Sequence, residues 1–268
     1  MEMTDEVFVR LGGNTVRKKL LFSSGLIGLV VLLSACGNVR ESVDANSTGF
    51  WDSKVIYPFS QVITFFAEHF NGSYGLAIII VTLIIRTILL PLNIKQLKSS
   101  RGMQMIQPQM KEIQAKYSSK DPKTQQKLQE ETMKLFKENN VNPLAGCLPI
   151  IVQMPILFGI YQAIMRTEAI KQGSFLWFEL GSPDYILPLI AGAATFLQQK
   201  LMMAGNPASD NPQMKIMLYM MPVMITIIGF FLPSALALYW VVGNAFMVGQ
   251  TLLINKPMMK DSAGGAKK

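Results

Sequence analysis

The stretch GLAIIIVTLIIRTILLPL, residues 75–92, decides which kind of fold this chain can adopt. Its 18 residues approach the number that a helix needs to cross about 30 Å of hydrocarbon. The only charged residue in it is Arg86, and none of the other long apolar stretches contains an Asp or Glu that could neutralise this charge. A charge inside a membrane is costly, so such a residue usually faces water or a partner. Alternatively, Arg86 extends its long side chain to the nearby membrane surface.

The composition predicts an integral membrane protein. Half of the 268 residues are hydrophobic, 16% are charged, and the mean hydropathy is +0.30. The net charge of +8 comes largely from Lys and Arg residues beside apolar stretches, where positive charge retains loops in the cytoplasm. Topology therefore explains the basic composition, and direct nucleic-acid binding is not predicted. The two cysteines are far apart and do not indicate a disulfide framework.

The N-terminal region has the layout of a secretory signal. Three basic residues, 17–19, precede the apolar segment 20–33, which is followed by Ser-Ala-Cys ending at Cys36. These last residues resemble a bacterial lipobox, so we expect residues 1–35 to be removed and Cys36 to carry lipid. Residues 1–15 are unusual before a signal and are interpreted as an over-long gene start. The alternative is an uncleaved anchor helix.

The rest of the chain divides into a tether, an amphipathic helix and a series of spans. Residues 36–54 form a polar tether, and the apolar residues of 55–70 recur at helical spacing, which predicts an amphipathic helix on the outer membrane face. Pro233 divides an apolar run that is too long for a single crossing. Five transmembrane helices are predicted, at about 75–92, 147–164, 185–203, 216–232 and 234–254.

The distribution of charge predicts the orientation of these spans. The loop 95–141 carries ten Lys and Arg residues, whereas the loop 166–183 carries two. Together with the basic tail 257–268, this places the long loop and the C-terminus in the cytoplasm. Asp121-Pro122 fits a helix start, which predicts a helix to about residue 139 and a helical hairpin with the preceding segment. This hairpin is either a cytoplasmic arm that meets a substrate or ribosome, or a solvated connector.

Polar residues recur at helical spacing within several predicted spans. Amides and hydroxyls are costly in hydrocarbon unless they are hydrogen-bonded, so we expect these residues to face a common wet groove. Ordinary hydrogen bonds between helices are the alternative, although they would not cancel the charge of Arg86. The candidate groove residues are Thr82, Arg86, Gln153, Trp240, Asn244 and Gln250.

A more specific resemblance is carried by the stretch NPLAGCLP, residues 142–149, followed by Gln153-Met154-Pro155. Together with Arg86, the basic hairpin and the aromatic-rich last span, it resembles the YidC/Oxa/Alb family of membrane protein insertases over about residues 51–256. The lipobox resembles the Gram-positive branch. The resemblance implies an all-α insertase core of five transmembrane helices within 75–256, with a cytoplasmic helical hairpin and an outer amphipathic helix. Arg86 matches the family's groove arginine, and Gln153, Trp240 and Gln250 match other groove-lining positions.

The resemblance also implies a function and partners. We expect a membrane protein insertase and chaperone, not an enzyme, that acts on nascent or newly made membrane proteins, alone or with the Sec translocon and the ribosome. No catalytic residue, metal or cofactor is predicted, and the only histidine, His69, lies outside the predicted spans. The expected location is the cell membrane, with a lipid-anchored N-terminus outside. A small-solute or anion transporter or channel is the alternative function.

Overall fold

In a computed structural model of the chain, the described residues are 42–119, 121–139, 141, 148–204 and 212–255. The predicted signal, the predicted lipidation site Cys36 and the basic tail lie outside these ranges. Most of the described residues are helical. The helices are α1 (Tyr57–His69), α2 (Tyr74–Met105), α3 (Gln107–Lys116), α4 (Pro122–Glu138), α5 (Leu148–Arg166), α6 (Glu168–Lys171), α7 (Leu187–Met203), α8 (Pro212–Gly229) and α9 (Ser234–Gln250). Two short strands, β1 (Ser174–Phe175) and β2 (Phe178–Glu179), pair antiparallel between α6 and α7.

Two helices within the described ranges are long and apolar enough to cross a membrane. They are Tyr74–Leu97, which lies within α2, and Ser234–Ile254, which joins α9 to the π-helical turn Thr251–Asn255. Shorter apolar helices occupy Ile151–Arg166 and Leu218–Gly229. A helix is therefore present in each of the five stretches that were predicted to cross the membrane.

Two helix starts follow the local signals in the sequence. The Asp121 carboxylate accepts a hydrogen bond from the backbone N–H of Thr124 at 3.2 Å, and Pro122 is the first residue of α4. This cap satisfies one of the N–H groups that have no partner within the helix. The apolar run after residue 216 breaks before Pro233, which caps the start of α9. Both starts agree with the predictions from sequence.

The long loop begins differently from the expected hairpin. Helix α2 does not end near residue 95 but continues to Met105 with Pro91 inside it, and α3 follows after a single turn residue, Ile106. Proline lacks an N–H and clashes with the carbonyl four residues earlier, so Pro91 removes one hydrogen bond from this helix. The first arm of the hairpin is therefore partly a continuation of the first span.

The expected amphipathic helix also differs in its surroundings. Ile63 and Ala67 of α1 are buried, and the helix packs against α2 and α5. Its exposed side still carries Val62 and Phe65, and Phe70 is exposed directly after its end. Helix α1 thus belongs to the protein core on one side and presents apolar side chains on the other.

An ion pair fastens the segment before α1 to the end of α5. The Arg166 guanidinium is only 6% exposed and donates two hydrogen bonds to the Asp52 carboxylate, each 2.9 Å long. The backbone N–H of Val43 also donates to the Arg166 carbonyl at 3.1 Å. A bidentate Arg–carboxylate pair is strong because two parallel bonds act on one charge pair.

Candidate substrate groove

Arg86 lies in α2 against the face of α9. Its guanidinium carbon is 5.7 Å from the centre of the Tyr239 ring. Gly243, one turn further along α9, lies so close that a methyl group added there would stand 2.6 Å from Nη2 and 3.2 Å from the guanidinium carbon of Arg86. Glycine thus permits the charged group to approach the backbone of α9, while the ring of Tyr239 attracts the cation through its electron-rich face.

The charge of Arg86 is not neutralised by any carboxylate in the described part of the chain. Ion pairs there include Lys134 with Glu138 and Arg166 with Asp52, and neither involves Arg86. The Nε atom of Arg86 is buried and has no hydrogen-bond partner among the described residues. A half-buried cation with an unused donor is a site for water or for an incoming acceptor.

Tyr239 connects this cation to a third helix. Its side chain is 2% exposed, and its hydroxyl accepts a hydrogen bond of 2.7 Å from Nε2 of Gln153 in α5. The hydroxyl is therefore satisfied while its ring contacts Arg86. Helices α2, α5 and α9 thus meet at Arg86, Tyr239 and Gln153.

Further polar atoms without partners lie in the later parts of α2, α7 and α9. Gln250 is 5% exposed and its Oε1 has no hydrogen-bond partner among the described residues. The same holds for Nδ2 of Asn93, Nε2 of Gln96 and Oε1 of Gln199. Buried polar groups are rarely left unsatisfied, so these atoms are available to water or to polar groups of a bound segment.

Two of the predicted groove residues use their polar groups within the protein. The Thr82 hydroxyl is 1% exposed and donates to the carbonyl of Ile78 at 2.6 Å. Asn244 donates from Nδ2 to the hydroxyl of Thr195 in α7, at 2.8 Å, in a buried bond. Such a hydrogen bond joins helices and is the alternative that the sequence left open.

The aromatic partner of Arg86 was not predicted. Trp240 is partly buried, but the ring that faces Arg86 belongs to its neighbour Tyr239. Neither Tyr239 nor Gly243 was among the predicted groove residues, although their spacing of four places them on one face of α9. That spacing, with glycine in the middle of a helix, is the signal that could have found them.

The described residues contain no group of three or more His, Cys, Asp or Glu side chains that could hold a metal ion. What the site offers is therefore a cation, an aromatic ring and amides, which can attract, solvate and release a polar segment.

Comparisons with known proteins show the family to which the chain belongs. Residues 65–262 match the family model described as "60Kd inner membrane protein". The chain is 61% identical to the membrane protein insertase YidC of Oceanobacillus iheyensis, over 91% of this chain and 99% of that protein. It is 55% identical to the membrane protein insertase MisCA of Bacillus subtilis strain 168, over 94% of this chain and 99% of that protein.

A solved structure supports the same assignment. The structure described as "Active YidC insertase crystal structure with the first transmembrane domain resolved" is similar with a TM-score of 0.60 and 29% sequence identity. The similarity covers 77% of this chain and 47% of the other, so this chain spans about half the length of that protein. Given the matched family model and the two bacterial relatives, the chain belongs to the YidC/Oxa/Alb family of membrane protein insertases.

Proposed function

We propose that this insertase moves short polar tails of small membrane proteins into the bilayer through a wet groove that contains Arg86. The observation that carries this proposal is the half-buried Arg86 guanidinium, which has no carboxylate partner among the described residues. Insertion moves a segment from water into lipid without making or breaking a covalent bond, so the protein is not an enzyme.

The polar lining supports a groove that holds water. Crossing hydrocarbon requires that backbone and charged groups lose their water, at several kcal/mol for each unsatisfied group. The amide of Gln153 and the unpartnered Oε1 atom of Gln250 offer polar groups along α5 and α9. A polar tail that enters such a groove keeps part of its solvation, which shortens the dry part of its path.

Electrostatic attraction selects acidic tails. A carboxylate 4 Å from Arg86 would gain about 4 kcal/mol at an effective dielectric constant of 20. Desolvation of both charges reduces the net gain. The attraction acts over a short range, so it assists entry of the tail without holding it permanently.

The apolar segment of the client leaves the groove toward lipid. A shallow apolar depression of about 300 Å³ lies on α2, lined by Ile80, Leu83, Ile84, Thr87 and Ile88. On α8, Met220 and Met224 are exposed, and their flexible side chains suit varied apolar surfaces. Burial of the client in lipid supplies roughly 0.8 kcal/mol per CH₂ group, which drives insertion without nucleotide hydrolysis.

The remaining features complete the proposal. Five spans place the C-terminus and the hairpin of α3 and α4 in the cytoplasm, and lipid on Cys36 anchors the N-terminus outside. The helical hairpin of α3 and α4, which carries excess positive charge, is the proposed surface for a ribosome or the Sec translocon, whereas the basic tail is too short for stable docking of a ribosome. The transporter alternative receives no support, because the relatives named above are membrane protein insertases.

The test is insertion of a single-span protein with an acidic tail into liposomes that contain only this protein. Wild type is compared with Arg86→Ala and Arg86→Lys, and each is also given the same client with a neutral tail. We expect Arg86→Lys to retain most insertion of the acidic client and Arg86→Ala to lose it, while the neutral client changes less. Equal loss for both clients would refute the electrostatic role of Arg86.

A further inference from the structure

The connector between α6 and α7 is a small β-hairpin with an apolar tip. Strands β1 and β2 pair Phe175 with Phe178, which leaves Leu176 and Trp177 as the two residues of the turn. The Leu176 side chain is 74% exposed and the Trp177 side chain 53% exposed. Turn residues in water are usually polar or glycine, so two large apolar residues here require an explanation.

The backbone of this turn is unfavourable for the residue that occupies it. Leu176 has a φ of 54°, in the left-handed region where most residues with a side chain are rare. Two-residue hairpin turns favour Asn or Gly at such positions. Because the Leu176 side chain is exposed, its contacts within the protein do not account for the presence of leucine.

The hairpin is fastened to the ends of two helices. The Phe175 ring lies directly against Gly75, where an added methyl group would overlap with it. The backbone N–H of Ala235 donates to the carbonyl of Leu180 at 3.1 Å. The hairpin therefore keeps a fixed position at the end of the molecule where α2 and α9 begin.

That position coincides with the boundary of the apolar surface. The two helices long enough to cross a membrane begin at Tyr74 and Ser234, beside the hairpin. Other exposed aromatic side chains occur at the same end of the helices, Tyr185 before α7 and Phe231 after α8. Aromatic side chains concentrate where membrane spans meet the lipid headgroups, because their rings suit a boundary between apolar and polar surroundings.

We propose that the Leu176–Trp177 tip is a membrane anchor that inserts into the interface between headgroups and acyl chains of the surrounding bilayer. The occupant is lipid, since the tip continues the apolar surface of spans that are already in contact with the membrane. The anchor fixes the depth of the ends of α2 and α9. It requires that these two helices span the bilayer but does not depend on the chemistry of Arg86.

Tryptophan fluorescence tests this proposal, because the chain has three tryptophans. In the variant Trp51→Phe/Trp240→Phe, Trp177 is the only one left, and the purified protein is placed in phosphatidylcholine and phosphatidylglycerol vesicles without any client. We expect a blue-shifted emission, strong quenching by lipids brominated near the headgroup end of the acyl chain, and weak quenching by iodide in the buffer. Strong iodide quenching with no effect of brominated lipid would overturn the proposal.

Two controls keep the outcome clear. Subtracting the spectrum of Trp177→Phe from that of wild type gives the emission of Trp177 in a protein that keeps Trp51 and Trp240. This emission must show the same lipid quenching, which excludes an artefact of the double substitution. Leu176→Gly relieves the left-handed backbone and removes the apolar side chain. We expect this variant to keep its fold but to lose part of the lipid quenching of Trp177. If Trp177 is quenched as strongly as in the protein that keeps Leu176, leucine is not part of the anchor. Because the anchor does not depend on Arg86, Arg86→Ala should lose insertion of the acidic client yet keep the lipid quenching of Trp177. Loss of that quenching in Arg86→Ala would contradict the independence of the anchor from the groove.

Discussion

Replacing Gly243 with alanine should move the Arg86 charge without removing it. The added methyl group would lie 2.6 Å from Nη2 of Arg86, whereas atoms in contact prefer about 3.5–4.0 Å. The guanidinium is the far end of a flexible side chain, so it should retreat by about 1 Å. For a client carboxylate initially 4 Å away, the attraction would fall from about 4.2 to about 3.3 kcal/mol at a dielectric constant of 20. A difference of about 0.8 kcal/mol corresponds to a roughly fourfold loss in the occupancy of the groove by an acidic tail.

The same helix supplies a matched control. A methyl group added at Gly249 would meet no atom within 4 Å. Both Gly243→Ala and Gly249→Ala gain up to about 1 kcal/mol of helix propensity, so a general effect of stiffening α9 would appear in both.

The assay is insertion of acidic-tailed and neutral-tailed clients into liposomes at limiting insertase concentration. We expect Gly243→Ala to insert the acidic client about fourfold less, by the Coulomb estimate above, and the neutral client as well as wild type does. Gly249→Ala should match wild type for both clients. If the two alanine variants behave alike, the close approach of Arg86 to α9 has no role in insertion.

Three further predictions concern contacts that hold the segments of the fold together. Tyr239→Phe keeps the ring beside Arg86 but leaves Gln153 without its acceptor, so the detergent-solubilised protein should lose about 1–3 kcal/mol of stability in thermal unfolding. Asp52→Asn removes the charge that neutralises the buried Arg166, so the free energy of unfolding should fall by about 3–5 kcal/mol. Replacing both residues with apolar ones should recover much of this stability, and no recovery would argue against the ion pair. Gly192→Ala should reduce stability because a methyl group would overlap with the Thr226 hydroxyl of α8. Adding Thr226→Ala should restore stability in the same unfolding assay.

The sequence predicted features that depend on neighbouring residues. Asp121 and Pro122 act within one turn, so their cap could be foreseen. Pro233 lies within an apolar run that is too long for one crossing, so a break there could also be foreseen. Arg86 was visible because a single charge inside an apolar stretch stands out in one dimension.

Features that depend on how helices rotate against one another were not predictable in this way. Trp240 and Tyr239 are adjacent in sequence but about 100° apart around α9, and packing decides which of them meets Arg86. The hydrogen bond of Asn244 to Thr195 depends on the contact of α7 with α9, which the sequence does not reveal. Likewise, the apolar stretch ends near residue 92, yet α2 continues beyond it to Met105.

The continuation of α2 has a mechanical consequence. A helix of 32 residues is about 48 Å long, and about 30 Å suffices to cross hydrocarbon. Roughly 18 Å of α2 can therefore project beyond the hydrocarbon toward the helical hairpin of α3 and α4. Pro91 lies between Arg86 and this projecting part, where the lost hydrogen bond makes bending easier. The part of α2 before Pro91, which packs against Tyr239 and Gly243, can hold the Arg86 guanidinium in place while the helical hairpin of α3 and α4 changes its angle to the membrane. Helix α2 thus combines a fixed positive charge at Arg86 with a cytoplasmic segment that can bend at Pro91.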